Sequence, residues 1–137
     1  MTKGMDMKDD EFRELYHGYI AALNGREFDT IDRFVADEIA FGTEVYTRAQ
    51  IADTLRAIID AVPDFHWEVR DILINGDRAA VSLWNTGTPE KQWQGVDPTG
   101  KSFRIGEQAI YRVGGGKFIE MLNVFDVAEA ARQLAAV

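Results

Sequence analysis

At 137 residues, with 46% hydrophobic and 28% charged side chains, the chain has the size and polarity of one globular domain. It lacks cysteine, which excludes a disulfide framework, a thiol nucleophile and a thiolate metal site, and makes a reducing, cytoplasmic home the expectation. Fifteen Lys and Arg against 23 Asp and Glu leave a net charge of −8, which repels phosphate backbones and anionic lipid surfaces, so neither nucleic acid nor a membrane is an expected partner. The opening residues lack the apolar stretch of a signal peptide, and no apolar run is long enough to span a bilayer.

Residues 1–8 read as a flexible tail. From Asp9 onward, Phe12, Leu15, Tyr16, Tyr19, Ile20 and Leu23 follow the three-and-four spacing of a helix with one buried stripe. Asp9, Asp10 and Glu11 complement the positive end of its dipole, and Gly25 is the expected left-handed cap. A short second helix is predicted from Thr30 to Val35. Thr47 and Gln50 have the spacing of a capping box that opens a third helix, whose apolar face is Ile51, Leu55, Ile58, Ile59 and Val62 and which Pro63 stops.

Beyond Pro63 the period changes to alternation. Strands are predicted from Phe65 to Ile74 and from Arg78 to Thr86, joined by a tight Asn75-Gly76 turn, with a bulge near Asp71 where the parity of apolar residues switches. Further strands follow from Lys91 to Gly95, Ser102 to Val113 and Lys117 to Phe125. The last of these is apolar on both parities and reads as central with both faces covered. Gly114 to Gly116 form a hairpin turn, and Asp126 opens a short final helix. Helices followed by consecutive strands describe an α+β domain over residues 1–137, its helices on one face of a curved antiparallel sheet.

The segment Gly87 to Lys101, with its Gly-Thr step, its Trp93-x-Gly95 step and the run Pro98-Thr99-Gly100-Lys101, resembles the SnoaL-like polyketide cyclases. Val62-Pro63-Asp64-Phe65, the Asn75-Gly76-Asp77-Arg78 turn, and Gly116 to Glu120 leading to Asp126 agree in the same order. The resemblance implies the cone-shaped fold of nuclear transport factor two, with helices on the concave face of the sheet, an apolar pocket between the layers, and a homodimer formed through the sheet. It also implies ring closure by an intramolecular aldol step, using acid–base residues and no cofactor. The same fold hosts ketosteroid-isomerase-like and epoxide-hydrolase-like enzymes and non-catalytic small-molecule binders, which are the alternative readings. A third is a protein-interaction module using the outer face of the sheet.

An aldol closure needs a base for a proton beside a carbonyl, and donors for the enolate oxygen. Glu107 interrupts the apolar row Phe103, Ile105, Ala109 and Tyr111, where an unpaired carboxylate would have a raised pKa; pairing with Arg104 or Arg112 on a solvated face is the alternative. Asp126 matches the acid that ends the family's last strand, yet its spacing to Glu129 is that of a helix cap. Asn123 stands where many relatives carry an acid, and as an amide it would donate rather than abstract. Phe41, Tyr46, Trp67 and Trp84 are candidates to line an apolar ligand pocket, with Asn85 and Gln108 orienting the ligand. Pro89 replaces the family's histidine after Gly-Thr, and His17 and His66 lie apart on surface or packing positions, so neither a His-Asp pair nor a metal site is expected.

Overall fold

A computed structural model describes residues 7–135. The chain runs α1 (Asp9–Asn24), a 3₁₀ turn (Phe28–Arg33), β1 (Val35–Phe41), β2 (Glu44–Thr47), α2 (Arg48–Ala61), β3 (His66–Asn75), β4 (Arg78–Gly87), β5 (Phe103–Gly114), β6 (Lys117–Phe125) and α3 (Val127–Leu134). The strands form one curved sheet in the order β2-β1-β6-β5-β4-β3, antiparallel throughout except for the parallel β1–β6 pair. This is the α+β architecture that the sequence predicts. Of the expected tail, residues 1–6 lie outside the described residues, while Met7 packs against the core and the Lys8 N–H donates to Glu11 Oε1.

The first and third predicted helices form where their patterns place them. Thr47 caps α2 through a complete capping box: its Oγ1 accepts the Gln50 N–H at 3.1 Å, and Gln50 Oε1 accepts the Thr47 N–H at 2.8 Å. At the end of α1 the left-handed residue is Arg26 (φ 61°) and not Gly25, whose φ is −82°. A side chain in that conformation costs about 1–2 kcal/mol. Arg26 offsets this by donating to the carbonyls of Pro63 at 2.8 Å and Phe65 at 2.7 Å, which ties the end of α1 to the corner before β3.

The second helix and the Lys91 strand are corrected. Ile31, Phe34 and Val35 have helical spacing, but Val35 already begins β1, and only a 3₁₀ turn forms, two residues earlier than the predicted helix. β1 itself buries Val35 and Ile39, four residues apart, and its register shifts between Val35 and Ala40, so it shows no alternation to read. Residues 91–95 form no strand. Trp93 and Val96 exchange two backbone hydrogen bonds of 2.9 Å around Gln94 (φ 52°) and Gly95 (φ 77°), making a tight turn. The β3 bulge does form: Val69 pairs with Leu83 and Asp71 with Ser82, which leaves Arg70 as the extra residue and switches the inward parity from Trp67 to Ile72.

The core lies between the helices and the inward face of the sheet. Phe12, Tyr16, Tyr19, Ile20 and Leu23 of α1 and Ile51, Leu55 and Ile58 of α2 cover Val81, Leu83, Ile105, Ala109, Tyr111, Phe118 and Met121. Emptying one such position, as in Ile105→Ala, costs about 2–5 kcal/mol. The opposite face is open: Leu73, Ile110, Leu122 and Val124 are exposed, so β6 is central in the sheet but covered on one face only.

Two of the sequence motifs form one joint. The Asp64 carboxylate accepts the Thr88 N–H at 2.7 Å and its hydroxyl at 2.9 Å. Gly87 passes so close to Val62 that a Cβ there would collide with Val62 Cγ1. Thr88 and the start of the β4–β5 connection are thereby fixed against the end of α2, where the Ala61 carbonyl also accepts from Glu90 and Lys91 N–H.

Candidate active site

Among the described residues, the inward face of the sheet carries one buried acid. On β5, every second residue from Phe103 to Val113 faces the helices, and the alternation places Glu107 among them, only 2% exposed. Its direct cross-strand neighbours are Leu83 and Phe125; Asn85 on β4 and Asn123 on β6 sit one inward position away, toward opposite ends of β5. Asn123 Nδ2 donates to Glu107 Oε2 at 2.8 Å and lies 3.2 Å from the Tyr111 hydroxyl. Glu107 Oε1, the Tyr16 hydroxyl and both amide atoms of Asn85 are buried without a hydrogen-bond partner of good geometry.

Glu107, Asn123, Tyr111 and Tyr16 border an apolar cavity of about 70 Å³, which Asn85 does not line. Its walls are Tyr16, Tyr19, Ile20 and Leu23 from α1, Phe41 from β1, Ile51, Thr54, Leu55 and Ile58 from α2, and Trp67, Glu107, Tyr111, Met121, Asn123 and Phe125 from the sheet. Glu107 is the one charged side chain among them. Burial raises its pKa above the usual carboxylate range, while the Asn123 and Asn85 amides hold it down in part. Burial also pushes the Tyr16, Tyr19 and Tyr111 hydroxyls up, and the Glu107 charge adds to this, so all three stay protonated as donors at neutral pH.

The remaining sequence candidates divide by face. Phe41 and Trp67 line the cavity, and Tyr46 stacks behind Phe41 at 5.0 Å without reaching it. Asn85 is fully buried beside Glu107. Trp84 and Gln108 lie on the other face, because their strand parity is opposite to that of Asn85 and Glu107. There the Arg70 and Arg104 guanidiniums pack on the Trp84 ring at 4.4 and 4.2 Å, and Gln108 Oε1 accepts the Ser82 hydroxyl at 2.8 Å. Asp126 is exposed and caps α3, its Oδ1 accepting the Glu129 N–H at 3.2 Å. His17 and His66 are exposed.

Sequence reasoning missed the three tyrosines. Tyr16 and Tyr19 read as a core stripe and Tyr111 as an apolar row member, and burial bears out both readings. The signal was their hydroxyls: a buried phenol needs a partner, and three on converging faces mark a polar spot in the core.

The sequence matches the family model of SnoaL-like polyketide cyclases over residues 13–134. Among solved structures, TsrD from Streptomyces laurentii superposes with a TM-score of 0.86 at 19% identity, covering 96% of this chain and 100% of that one. A SnoaL-like polyketide cyclase from Agrobacterium tumefaciens gives 0.84 at 23% identity, with 90% and 97% covered. IdmH from Streptomyces antibioticus gives 0.78 at 22%, with 89% and 96% covered. Likeness at these identities shows a shared fold. No curated protein matches the chain significantly. A family match across nearly the whole described chain, on the fold its motifs predict, is sufficient: the chain belongs to the SnoaL-like polyketide cyclase family.

Proposed function

We propose that the protein is a cofactor-independent, cyclase-like enzyme that forms an enolate of an apolar, carbonyl-bearing small molecule and closes a ring by an intramolecular aldol step, with Glu107 as the base. The observation that carries this reading is a buried carboxylate at the wall of an aromatic cavity, one oxygen held by Asn123 and the other unpartnered. A raised pKa gives such a carboxylate more basicity than an exposed one, and an apolar site strengthens its interaction with a bound substrate.

In this mechanism Glu107 Oε1 takes the proton from the carbon between two carbonyls, and the electrons of that C–H bond pass into the enolate. The Tyr16 hydroxyl, buried in the cavity with no acceptor of its own, donates to the enolate oxygen. The enolate carbon attacks a second carbonyl of the same molecule, forming one C–C bond. The resulting alkoxide takes the proton back from Glu107, so the product is an isomer of the substrate and the enzyme is restored. Asp126, on an exposed helix cap, has no part in these steps.

The test is incubation of linear polyketide-like esters with the protein, followed by chromatography for a product of unchanged mass. A cyclised isomer formed by wild type and not by Glu107→Gln supports the reading. Saturable binding without any isomer would instead identify a small-molecule binder of the same fold.

A further inference from the structure

Asn85 is a buried polar residue that the mechanism leaves unused, and its position calls for a partner. It is fully buried, with neither its Nδ2 nor its Oδ1 in a hydrogen bond of good geometry. An amide in that state carries the full cost of desolvation. The sheet sets its neighbours: Asn85 pairs with Ile105 on β5 and Trp67 on β3, on the same face as Glu107 and one inward position along. Asn123 occupies the corresponding place on the other side of β5, pairing with Ala109. Glu107 is therefore flanked by one amide from each adjoining strand. Asn123 bonds Oε2, and the oxygen left without a partner is Oε1.

We propose that Asn85 is a positioning residue for Glu107: its Nδ2–H closes onto Oε1 when the carboxylate is ionised, completing with Asn123 a two-sided amide clamp. A carboxylate only accepts, so an amide facing it must turn its nitrogen toward it. The Asn85 amide lies near enough to the carboxyl to favour its charged form. Two neutral amides fix the orientation of a base without supplying the counter-charge that an Arg or Lys would bring, which would sharply reduce its basicity. When substrate enters, Oε1 exchanges the Asn85 hydrogen bond for the substrate proton while Asn123 keeps hold of Oε2.

This inference rests on the reading of Glu107 as a base, but its first test does not. The other titratable groups facing Glu107 are Tyr16 and Tyr19 from α1 and Tyr111 from its own strand; α2 contributes Thr54 and apolar side chains. Carbon-detected NMR on protein labelled at Glu side chains, assigned with Glu107→Gln, follows the Glu107 titration. In wild type the Asn85 side-chain amide resonances should move with the Glu107 midpoint, and this movement should vanish in Glu107→Gln. Asn85→Leu should shift the Glu107 midpoint further upward, and the pH–rate profile by the same amount, lowering kcat about tenfold with KM little changed. Asn85→Ser, which keeps a donor, should recover part of the shift. If Asn85→Leu does not fold, the wild-type amide titration decides alone. Asn85 resonances indifferent to Glu107, or a Glu107 midpoint unmoved in a folded Asn85→Leu, would overturn the proposal. A moved midpoint together with full activity in Glu107→Gln would leave the clamp standing and remove Glu107 as the base.

Discussion

Asn123 on β6 donates its amide hydrogen to Glu107 on β5 across 2.8 Å, inside the core. An ionised carboxylate without such a donor would be expelled from an apolar interior or would stay protonated. With it, Glu107 keeps a raised pKa and one free oxygen, a combination that serves proton transfer better than stability.

The stability of the fold should therefore depend on pH through Glu107. Its pKa is raised in the folded state, so the folded protein holds this proton more tightly than the unfolded chain does. Stability should fall as pH rises from the ordinary carboxylate pKa through the folded one, and remain lower above it. Glu129 has the opposite sign: Arg132 and Gln133 pull its pKa down to about 2, so its contribution is present above the ordinary value and lost on acidification toward pH 2. Denaturant melts of wild type and Glu107→Gln across pH 4 to 8 isolate the first effect, because the variant should lack it and be at least as stable at neutral pH.

Asp126 should behave as a cap. Asp126→Ala should cost about 1 kcal/mol in a thermal or denaturant melt, while Asp126→Asn, which keeps an accepting oxygen, costs less. Neither should change the rate of any reaction the protein catalyses. A large loss of rate in a folded Asp126→Asn would return this residue to the active site.

Ligand affinity should follow the inward face only. Thr54 is exposed on α2 and also borders the cavity, so Thr54→Trp fills the space without disturbing the buried core and should weaken binding at least about tenfold. Trp84→Ala and Gln108→Ala, on the other face, should leave affinity unchanged. Isothermal titration with an aromatic 1,3-dicarbonyl compound measures all three.

The outer face should set the assembly. Leu73, Ile110, Leu122 and Val124 form an exposed apolar patch across β3, β5 and β6, on the face that the homodimer implied by the family resemblance would cover. Light scattering is expected to give a dimer for wild type and a monomer for Val124→Lys. A monomeric wild type would contradict this.

Much of this was legible in the sequence because the governing signals were local. The capping box at Thr47, the Asn75-Gly76 turn and the bulge beside Asp71 depend on neighbouring residues, and each forms as its pattern predicts. Glu107 was legible for the same reason, since one acid in an alternating apolar row needs only strand parity to be placed. β1 and β2 were not, because β1 is held by pairing with β6, some eighty residues away, and its own side chains follow no strand period. The true face of Trp84 was lost where several aromatic residues were gathered as pocket candidates without following parity from Asn85. The tyrosines were hidden by their double character, apolar enough to read as core and polar enough to line a site.

The most direct measurement is the rate of proton–deuterium exchange, followed by NMR, at the carbon between the two carbonyls of a polyketide-like ester, with wild type and Glu107→Gln compared at equal ligand occupancy. Wild type should accelerate exchange over buffer, and Glu107→Gln should lose at least about a hundredfold of that acceleration while remaining folded and able to bind. Exchange that is equally fast in Glu107→Gln, or absent from a wild type that binds the ester, would contradict a base at Glu107.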